Sequence, residues 1–167
     1  MSGAGQQVRV TVVCSGNICR SPIGEVVLRD AVERAGLGHA VLVDSAGIGG
    51  WHVGEGADRR ARAVLARHGY DAAGHRVRQI TGDWFDEDDA PDLLLAMDSG
   101  HEQALRRLAP DSDVRRYRTF DPALAGRADA ALDVPDPYYG DDSDFEEVLA
   151  MVQAATPGVL AHLRTLL

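Results

Sequence analysis

Short apolar runs dominate the pattern of this 167-residue chain. Residues 8–13, 41–46 and 93–97 form near-continuous runs, and residues 114–120 form a weaker fourth one. Such continuity is typical of strands buried on both faces of a parallel sheet, whereas a strand with one exposed face alternates between apolar and polar residues. The sequence therefore predicts four strands that belong to one parallel sheet.

Helical patterns lie between these runs. Asp58 is suited to cap a helix that continues to His68 and ends at Gly69. A shorter helix is predicted at residues 100–108. An earlier helix ends at Gly36, and its apolar stripe consists of Ile23, Val26, Val27, Ala31 and Ala35.

The last helix opens at Phe145, and its apolar stripe continues to Leu167. Pro157 is expected to kink or divide it, because proline lacks an N–H and its ring clashes with the preceding turn. Strands alternating with helices predict an α/β fold, and the length suits a single domain. Ligands of parallel sheets bind beyond the carboxyl ends of the strands, which directs attention to the turn after Val13.

That turn reads CSGNICRSP over residues 14–22, and we call residues 14–20 the 14–20 loop. A short loop between strand and helix can curl so that successive backbone N–H groups converge, and the helix adds its own unpaired N–H groups. Gly16 is expected to supply the positive φ of this curl. Arg20 offers a planar fork for two oxygens. The loop is therefore predicted to hold a phosphate-like dianion.

Cys14 lies at the start of this predicted cradle. A thiol beside a helix N-terminus and a cation ionises more readily than a free thiol, so we expect a thiolate at neutral pH. Ser21 is placed to donate a hydrogen bond to that sulfur. The alternative is that Cys14 is a small buried residue that closes the strand, but Arg20, Ser21 and Pro22 together favour the nucleophile.

A thiolate that attacks a phosphate ester expels an alcohol, which leaves far better when a carboxylic acid protonates it. Asp136 is the candidate acid, because Pro135 and Pro137 hold it in stiff, non-helical backbone. Tyr138 and Tyr139 follow it and are suited to line an aromatic slot for a phenyl ring. Spacing alone leaves open that Asp136 is an ordinary carboxylate in a turn.

The formal charge of −9 argues against binding to nucleic acid or to an anionic membrane. Acidic residues cluster at 83–92 and 133–147, most simply as solvated surface. All 17 cationic side chains other than histidine are Arg, which suggests a GC-rich bacterial genome. Residues 1–7 are polar and show no secretory signal, so we predict a flexible tail, a cytoplasmic location and a monomer.

Cys14 and Cys19 are the only two cysteines. Two cysteines five positions apart make no disulfide framework, and they are too few for a zinc site of four ligands. In a reducing compartment, cysteines are more often catalytic or inert. We therefore predict a reaction that needs no metal or other cofactor.

The 14–20 loop, followed by the sequence DPYY at residues 136–139, resembles the low-molecular-weight protein tyrosine phosphatases. Further stretches match in the family's order at residues 44–47, 51–54, 75–79 and 96–98, so the resemblance covers essentially the whole chain. It implies a four-stranded parallel sheet with helices on both faces and a phosphate-binding loop after the first strand. It also implies a protein substrate that carries phosphotyrosine.

The resemblance implies three catalytic roles: Cys14 as nucleophile, Arg20 as phosphate clamp, and Asp136 as general acid and then general base. It implies that the loop is supported by Asn17, Ser21, Ser45 and His75. The loop residues that would surround the phosphate are Ser15, Gly16, Asn17, Ile18 and Cys19. The residues that would line the aromatic slot are Ile18, Trp51, Tyr138 and Tyr139.

Bland alternatives remain at three of these positions. From sequence alone His75 would be a surface histidine, Cys19 a packing residue and Trp51 a core residue. A tryptophan among glycines is more typical of a loop tip, however, which favours the slot for Trp51. The resemblance implies that Cys19 can form a reversible disulfide with Cys14 under oxidant. Departures from the family pattern occur at Ser15, Gly56, Arg59 and residues 98–101, and they are expected to affect substrate choice or loop packing.

Four other functions compete with this one. An arsenate reductase needs cysteines outside the loop, and the chain has none. A protein-arginine phosphatase tends to carry Thr at the position of Ile18 and lacks the aromatic slot. A nucleotide-binding module is suggested by residues 47–50, but His52 stands where the third glycine should be. A phosphate sensor without turnover would be expected to have lost Cys14 or Asp136.

Overall fold

The computed structural model describes residues 7–86, 88 and 90–167. Within them, four parallel strands form one sheet in the order β2-β1-β3-β4, as predicted. The tail predicted at residues 1–7 lies outside the described residues except for Gln7, which is exposed. The strands are β1 Val8–Cys14, β2 Val41–Gly47, β3 Leu93–Ala96 and β4 Asp113–Arg116.

Four α-helices cover both faces of the sheet, as the family resemblance implies. Three of them pack against one another on one face, and the other lies against β3 and β4 on the opposite face. The three are α1 Arg20–Arg34, α2 Arg59–Arg67 and α4 Asp142–Arg164, and the opposite one is α3 Ser99–Leu108. Among the described residues, none of the helices combines the length and apolar character needed to cross a membrane.

The predicted helix ends are explained by their caps. Asp58 accepts a hydrogen bond from the Arg60 backbone N–H and so begins α2, as expected. Gly36 and Gly69 follow α1 and α2 with φ of 75° and 86°, a left-handed conformation that glycine adopts without steric cost.

Central strands β1 and β3 explain the uninterrupted apolar runs. Alternate side chains of one strand enter opposite cores: Leu95 packs in the core under α1 and α4, whereas Leu94 packs in the core under α3. Both are fully buried, and each such leucine contributes roughly 1.5–3 kcal/mol by leaving water. A strand buried on both faces needs no polar alternation, which is why the pattern predicts a parallel sheet.

The fourth strand is shorter than predicted. Strand β4 ends at Arg116, and Tyr117–Phe120 form a 3-10 helix instead of continuing the strand. The reason is tertiary packing, because the Tyr117 side chain is fully buried and its hydroxyl lies 2.6 Å from the Thr156 hydroxyl of α4. Local apolar content could not reveal that partner.

The last helix is not divided at Pro157. Helix α4 runs continuously through that residue, although proline removes one hydrogen bond of the helical ladder. Burial of Ala155, Thr156 and Val159 on either side of the proline holds the helix together.

The position of α1 depends on a close approach to the sheet. A Cβ built on Gly24 would lie 2.6 Å from Met97 Cε and 2.9 Å from a Val12 methyl carbon. Any larger residue at this position would force the Met97 and Val12 side chains to shift, so glycine favours the close approach of α1 to β1. The N-terminus of α1 is thereby held directly after the carboxyl end of β1.

Candidate active site

Strand β1 ends at Cys14, and α1 begins six residues later at Arg20. The Cys14 Sγ lies 3.0 Å from the Ser21 Oγ, and both residues are buried. Within the described part of the chain, the backbone N–H groups of residues 15–19 donate to no protein acceptor. They therefore remain available to an anion above the sulfur, as the curl of the loop predicts.

The left-handed residue of the loop is Asn17 and not Gly16, which corrects the expectation from sequence. Asn17 has a φ of 61°, and it is the one non-glycine residue with a positive φ in the described chain. Asparagine tolerates this conformation better than most residues. Hydrogen bonds from its side chain explain why it holds the position.

Asn17 is the centre of the loop's support. Its side-chain nitrogen donates to Ser21 Oγ at 2.8 Å and to Ser45 Oγ at 2.9 Å. Its side-chain oxygen accepts from the Arg78 backbone N–H at 3.0 Å, and its own carbonyl oxygen lies 2.8 Å from His75 Nε2. His75 is therefore a buried part of the loop support, not a surface histidine.

Glu25 lies behind this network and was not singled out in the sequence. It accepts a hydrogen bond from Ser45 Oγ, pairs with Arg29, and lies 3.4 Å from His75 Nδ1. Burial acts to raise its pKa, but the hydrogen bonds from His75 and Ser45 and the charge of Arg29 outweigh burial and lower the pKa to about 2. Glu25 is therefore a buried carboxylate that fixes the loop from below.

We expect acid to remove the stabilisation that Glu25 provides. Because its pKa in the folded chain is about 2, against an ordinary value of 4.5, this stabilisation is complete above about pH 4.5 and is lost as pH falls towards 2. The shift corresponds to roughly 3 kcal/mol. Glu25→Gln should flatten this part of the pH profile of the unfolding free energy, measured in urea. Glu33→Gln, at an exposed position of the same helix, should leave the profile unchanged, and an unchanged profile in Glu25→Gln would contradict the assignment.

Arg20 is held by a carboxylate, Asp98, to which the sequence analysis assigned no role. Its Nη1 donates to Asp98 Oδ2 at 2.8 Å and to the Val134 carbonyl oxygen at 2.9 Å. Burial acts to raise the pKa of Asp98, but the hydrogen bond from the His101 backbone N–H and the charge of Arg20 outweigh burial and lower the pKa. Asp98 is therefore ionised and orients the guanidinium from behind.

A histidine closes a ring around Arg20. His101 Nε2 lies 2.8 Å from Ser15 Oγ, and its Nδ1 lies 3.1 Å from Asp98 Oδ1. Arg20 Nη2 donates to the same Ser15 hydroxyl at 3.4 Å. Burial lowers the pKa of His101 and outweighs the charge of Asp98, which raises it, so the pKa is about 4. The imidazole of His101 is therefore neutral at pH 7.

Asp98→Asn is expected to lower kcat/KM by about 10- to 100-fold, because a small misplacement of a group that binds the reacting atoms has effects of this size. The free energy of unfolding should change much less, since Asn keeps the volume and can still accept from the His101 backbone N–H. Inhibition by inorganic phosphate should weaken in parallel with kcat/KM. Asp113→Asn, at the opposite end of the sheet, serves as the matched control, and equal phosphate inhibition in both variants would refute the positioning role.

The predicted catalytic and slot residues meet in one cavity of about 240 Å³, whereas the predicted support residues Asn17, Ser21, Ser45 and His75 are not part of its lining. Cys14 and Arg20 are buried and lie at its inner end. Asp136 also lines the cavity, and its Oδ2 lies 3.8 Å from Arg20 Nη2. The four residues predicted to form the aromatic slot all line the cavity: Ile18, Trp51, Tyr138 and Tyr139. Trp51 and Tyr139 are 72% and 92% exposed, so their rings stand at the mouth with free faces.

Asp136 is held by its own turn, because its Oδ1 accepts from the Tyr138 backbone N–H at 3.1 Å. The two tyrosine rings pack edge to face with centroids 4.9 Å apart. The guanidinium of Arg60 lies 5.5 Å from the Tyr138 ring centroid, a cation–π arrangement. This turn therefore presents a carboxylate and an aromatic wall together.

Cys19 is buried at the start of α1 and also borders the cavity. Both cysteines are free. Burial first, and then the negative charge of Asp58, raises the pKa of the Cys19 thiol well above its usual range. Cys19 is therefore a neutral thiol in this state.

Residues that the sequence analysis missed include a glycine. A Cβ on Gly47 would lie 3.0 Å from the Ser15 carbonyl oxygen and 3.1 Å from the Asn17 nitrogen, so β2 leaves room for the loop only with glycine there. His52 also lines the cavity. For Asp98 a signal was present, because it follows β3 at the same edge of the sheet as Cys14. No comparable signal marks Glu25, which lies inside a helix.

Comparisons with known proteins agree with this geometry. The model of a family described as low molecular weight phosphotyrosine protein phosphatase matches residues 9–166. A low molecular weight protein-tyrosine-phosphatase of Streptomyces coelicolor is 56% identical over 160 residues, which cover 93% of each chain. A low molecular weight protein-tyrosine phosphatase A of Mycobacterium tuberculosis is 49% identical over 153 residues, covering 91% of this chain and 89% of its own. The solved structure of YfkJ from Bacillus subtilis matches with a TM-score of 0.83 at 35% identity and covers 98% of each chain.

The fold and the site together define an α/β protein with a buried thiol, a buried arginine and unpaired backbone N–H groups in the loop between the first strand and the first helix. Within that class, the chain belongs to the low molecular weight phosphotyrosine protein phosphatase family. The resemblance inferred from the 14–20 loop and residues 136–139 is thereby confirmed.

Proposed function

We propose that this protein hydrolyses phosphotyrosine in protein substrates through a phosphocysteine intermediate. The observation that carries the proposal is the single cavity in which Cys14, Arg20 and Asp136 meet behind aromatic walls. The relatives that match almost the whole chain are named as tyrosine phosphatases, which agrees with it.

In the first step, the Cys14 thiolate attacks phosphorus, and the bond from phosphorus to the tyrosine oxygen breaks. The backbone N–H groups of residues 15–19 and the fork of Arg20 hold the oxygens of the transferring group as charge shifts onto them. The Ser21 hydroxyl, 3.0 Å from the sulfur, donates to the thiolate before attack and again when sulfur becomes the leaving group.

Asp136 protonates the departing phenolate in this step and is left as a carboxylate. A tyrosine phenolate has a conjugate acid with a pKa near ~10, so it leaves poorly without a proton. In the second step, the same carboxylate takes a proton from water, whose oxygen attacks phosphorus. The bond from phosphorus to sulfur then breaks, phosphate leaves, and the Cys14 thiolate is restored.

The shape of the cavity supports an aromatic ester over a smaller one. The phosphate site lies at the inner end, and Trp51, Tyr138 and Tyr139 stand at the mouth, so a phenyl ring would be packed between aromatic faces. A phosphoserine side chain has no ring to pack between these aromatic faces. The chain has no cysteine beyond Cys14 and Cys19 to support arsenate reduction.

A substrate panel tests this proposal directly. We expect turnover of phosphotyrosine peptides and of p-nitrophenyl phosphate without added metal, inhibition by vanadate, and little activity on phosphoserine or phosphoarginine. A peptide series with one scaffold and different phosphorylated residues isolates the aromatic requirement. Faster hydrolysis of phosphoarginine than of phosphotyrosine would replace the proposal with an arginine phosphatase, and a strict metal requirement would overturn the thiolate mechanism.

Oxidation by peroxide is expected to inactivate the enzyme reversibly. Cys19 lies in the same loop as Cys14 and borders the same cavity, so a sulfenic acid on Cys14 can condense with the Cys19 thiol to a disulfide and release water. Dithiothreitol should then restore nearly all activity. In Cys19→Ala the recovery should fall several-fold, because Cys14 oxidises further. Equal recovery in both proteins would remove the protective role of Cys19.

The proposed compartment is the cytoplasm, where a reducing thiol pool keeps a catalytic cysteine in its reduced form. Cys14 and Cys19 are both free, which agrees with such a compartment. Action as a monomer stays a prediction.

A further inference from the structure

A second groove adjoins the catalytic cavity. Its volume is about 650 Å³, and it shares Ile18, His52 and Tyr138 with the cavity. Its floor and far wall come from residues 54–59, from Arg62 on α2, and from Ala73 and Arg76. A peptide whose phosphotyrosine occupies the cavity would therefore place its neighbouring residues along this groove.

The groove is basic although the chain as a whole carries a formal charge of −9. Arg59, Arg62 and Arg76 line it and are exposed. Within the described residues none of these three guanidinium groups forms an ion pair, and Arg76 donates only to the carbonyl oxygens of Ala73 and His75. We call this surface the arginine groove.

The two carboxylates in the arginine groove already have partners. Asp58 accepts hydrogen bonds from the backbone and side chain of Arg60, and its pKa is lowered because these bonds outweigh its burial. Glu55 lies 3.2 Å from His52 Nδ1. The net charge of the groove lining is therefore positive, and three guanidinium groups face solvent without a carboxylate.

We propose that the arginine groove binds acidic residues that flank the phosphotyrosine of the substrate. This inference rests on the proposed function and adds the substrate class to it. Its chemistry is the pairing of guanidinium with carboxylate, the geometry that arginine matches with two parallel hydrogen bonds. The occupant is a substrate segment rich in Asp or Glu.

The spacing of the arginines fits an extended peptide. Arg59 and Arg62 are three positions apart on α2, so their side chains leave the same face with Cβ atoms roughly 5–6 Å apart. In an extended peptide, side chains two positions apart point the same way and lie about 7 Å apart. Two acidic residues with one residue between them can therefore each meet one arginine.

The acidic surface outside the groove restricts where an acidic peptide can bind. Acidic clusters elsewhere on the chain repel an acidic peptide, and beyond roughly 10 Å that repulsion is screened at 0.1 M salt. Attraction in the arginine groove acts at contact distance and is screened less. Acidic residues are therefore expected to raise kcat/KM only at peptide positions that reach the arginine groove.

The test compares phosphotyrosine peptides that differ only in their flanking residues. One peptide carries Ala throughout, and two others carry a pair of Asp residues, spaced by one residue, on the N-terminal or the C-terminal side. We expect kcat/KM on one of the Asp peptides to exceed that on the Ala peptide by about tenfold at low salt, since each exposed pair contributes about two- to fivefold. The ratio should fall as the salt concentration rises.

Arg59→Glu/Arg62→Glu should bring this ratio to one or below, and Arg76→Glu should lower it part of the way. Hydrolysis of p-nitrophenyl phosphate, which has no flanking residues, should stay within about twofold and so shows that the variants are folded. The matched control is Arg107→Glu/Arg164→Glu, which reverses two exposed arginines near the C-terminal ends of α3 and α4. It should keep the wild-type ratio.

Equal kcat/KM on the Asp and Ala peptides in the wild-type protein overturns the groove proposal alone. The same loss of preference in the control variant also overturns it, because the effect would then come from net charge. Failure of the wild-type protein to hydrolyse any phosphotyrosine substrate overturns the proposed function as well. The two failures are therefore distinguishable.

Discussion

Cys14→Ser is expected to lower kcat by at least about 10⁴-fold, the size of effect seen when a nucleophile is removed from other covalent enzymes. A serine hydroxyl at this position keeps the shape of the site but is not ionised at neutral pH. Attack on phosphorus then lacks its nucleophile, and no phosphocysteine forms. Steady-state hydrolysis of p-nitrophenyl phosphate measures the loss, and mass spectrometry after a rapid acid quench detects the phosphorylated wild-type protein.

The same variant should still bind phosphate. The backbone N–H groups of residues 15–19 and the Arg20 fork are unchanged by the substitution, and a ligand that binds only the folded state raises the melting temperature. Phosphate or vanadate should therefore raise the melting temperature of Cys14→Ser as it does that of the wild-type protein. Cys19→Ala is the matched control in the same loop and should keep most of its turnover. Comparable activity in Cys14→Ser and in the wild-type protein would end the covalent mechanism.

The fold was predictable because its signals are local. Central strands buried on both faces produce apolar runs without alternation, and Asp58, Gly36 and Gly69 mark helix ends through their own backbone chemistry. The errors came where a distant partner decides the conformation. Strand β4 ends before Tyr117 because the Tyr117 hydroxyl contacts the Thr156 hydroxyl of α4. Helix α4 continues through Pro157 because the residues on either side of it are buried.

The candidate site was predictable for a different reason. Cysteine, five residues and then arginine make a pattern with one clear chemical use, and the pattern lies where ligands of parallel sheets bind. The groups that orient those residues carry no such pattern. Glu25 reads as one polar residue of a helix, and its role needs Ser45 and His75, which lie 20 and 50 positions away along the chain.

The ring around Arg20 shows the same limit. Asp98, His101 and Ser15 surround the guanidinium, yet from sequence the departures at Ser15 and residues 98–101 predicted only an effect on substrate choice or loop packing. The Ser15 hydroxyl lies between His101 Nε2 and Arg20 Nη2, so the departures at Ser15 and His101 are in contact with each other. Ser15 follows β1, whereas Asp98 and His101 follow β3. Their contacts can be recognised only once the two strands are placed side by side in the sheet.

Asp136→Asn is expected to lower kcat by about 10²- to 10³-fold on substrates whose leaving group is a basic phenolate, because general acid catalysis contributes effects of this size. An amide of the same shape keeps the turn and its hydrogen bond from the Tyr138 backbone N–H but has no acidic proton to give. The loss should shrink as the leaving group becomes less basic, from phenyl phosphate to p-nitrophenyl phosphate. A series of substituted phenyl phosphates measures this dependence as the slope of log kcat/KM against leaving-group basicity, because kcat/KM reports the first step alone.

The second step adds an independent signature to the same variant. Asp136 is also the proposed base for water, so with a reactive aryl phosphate the Asn variant should form phosphocysteine faster than it hydrolyses it. A burst of p-nitrophenol equal to the enzyme concentration, followed by slow turnover, is the expected trace. Asp142→Asn, an exposed carboxylate in the first turn of α4, should show neither the steeper slope nor the burst. A uniform loss of kcat/KM across all leaving groups would mean that Asp136 positions the substrate and that the acid lies elsewhere, since only a proton donor makes the loss in the first step depend on the basicity of the leaving group.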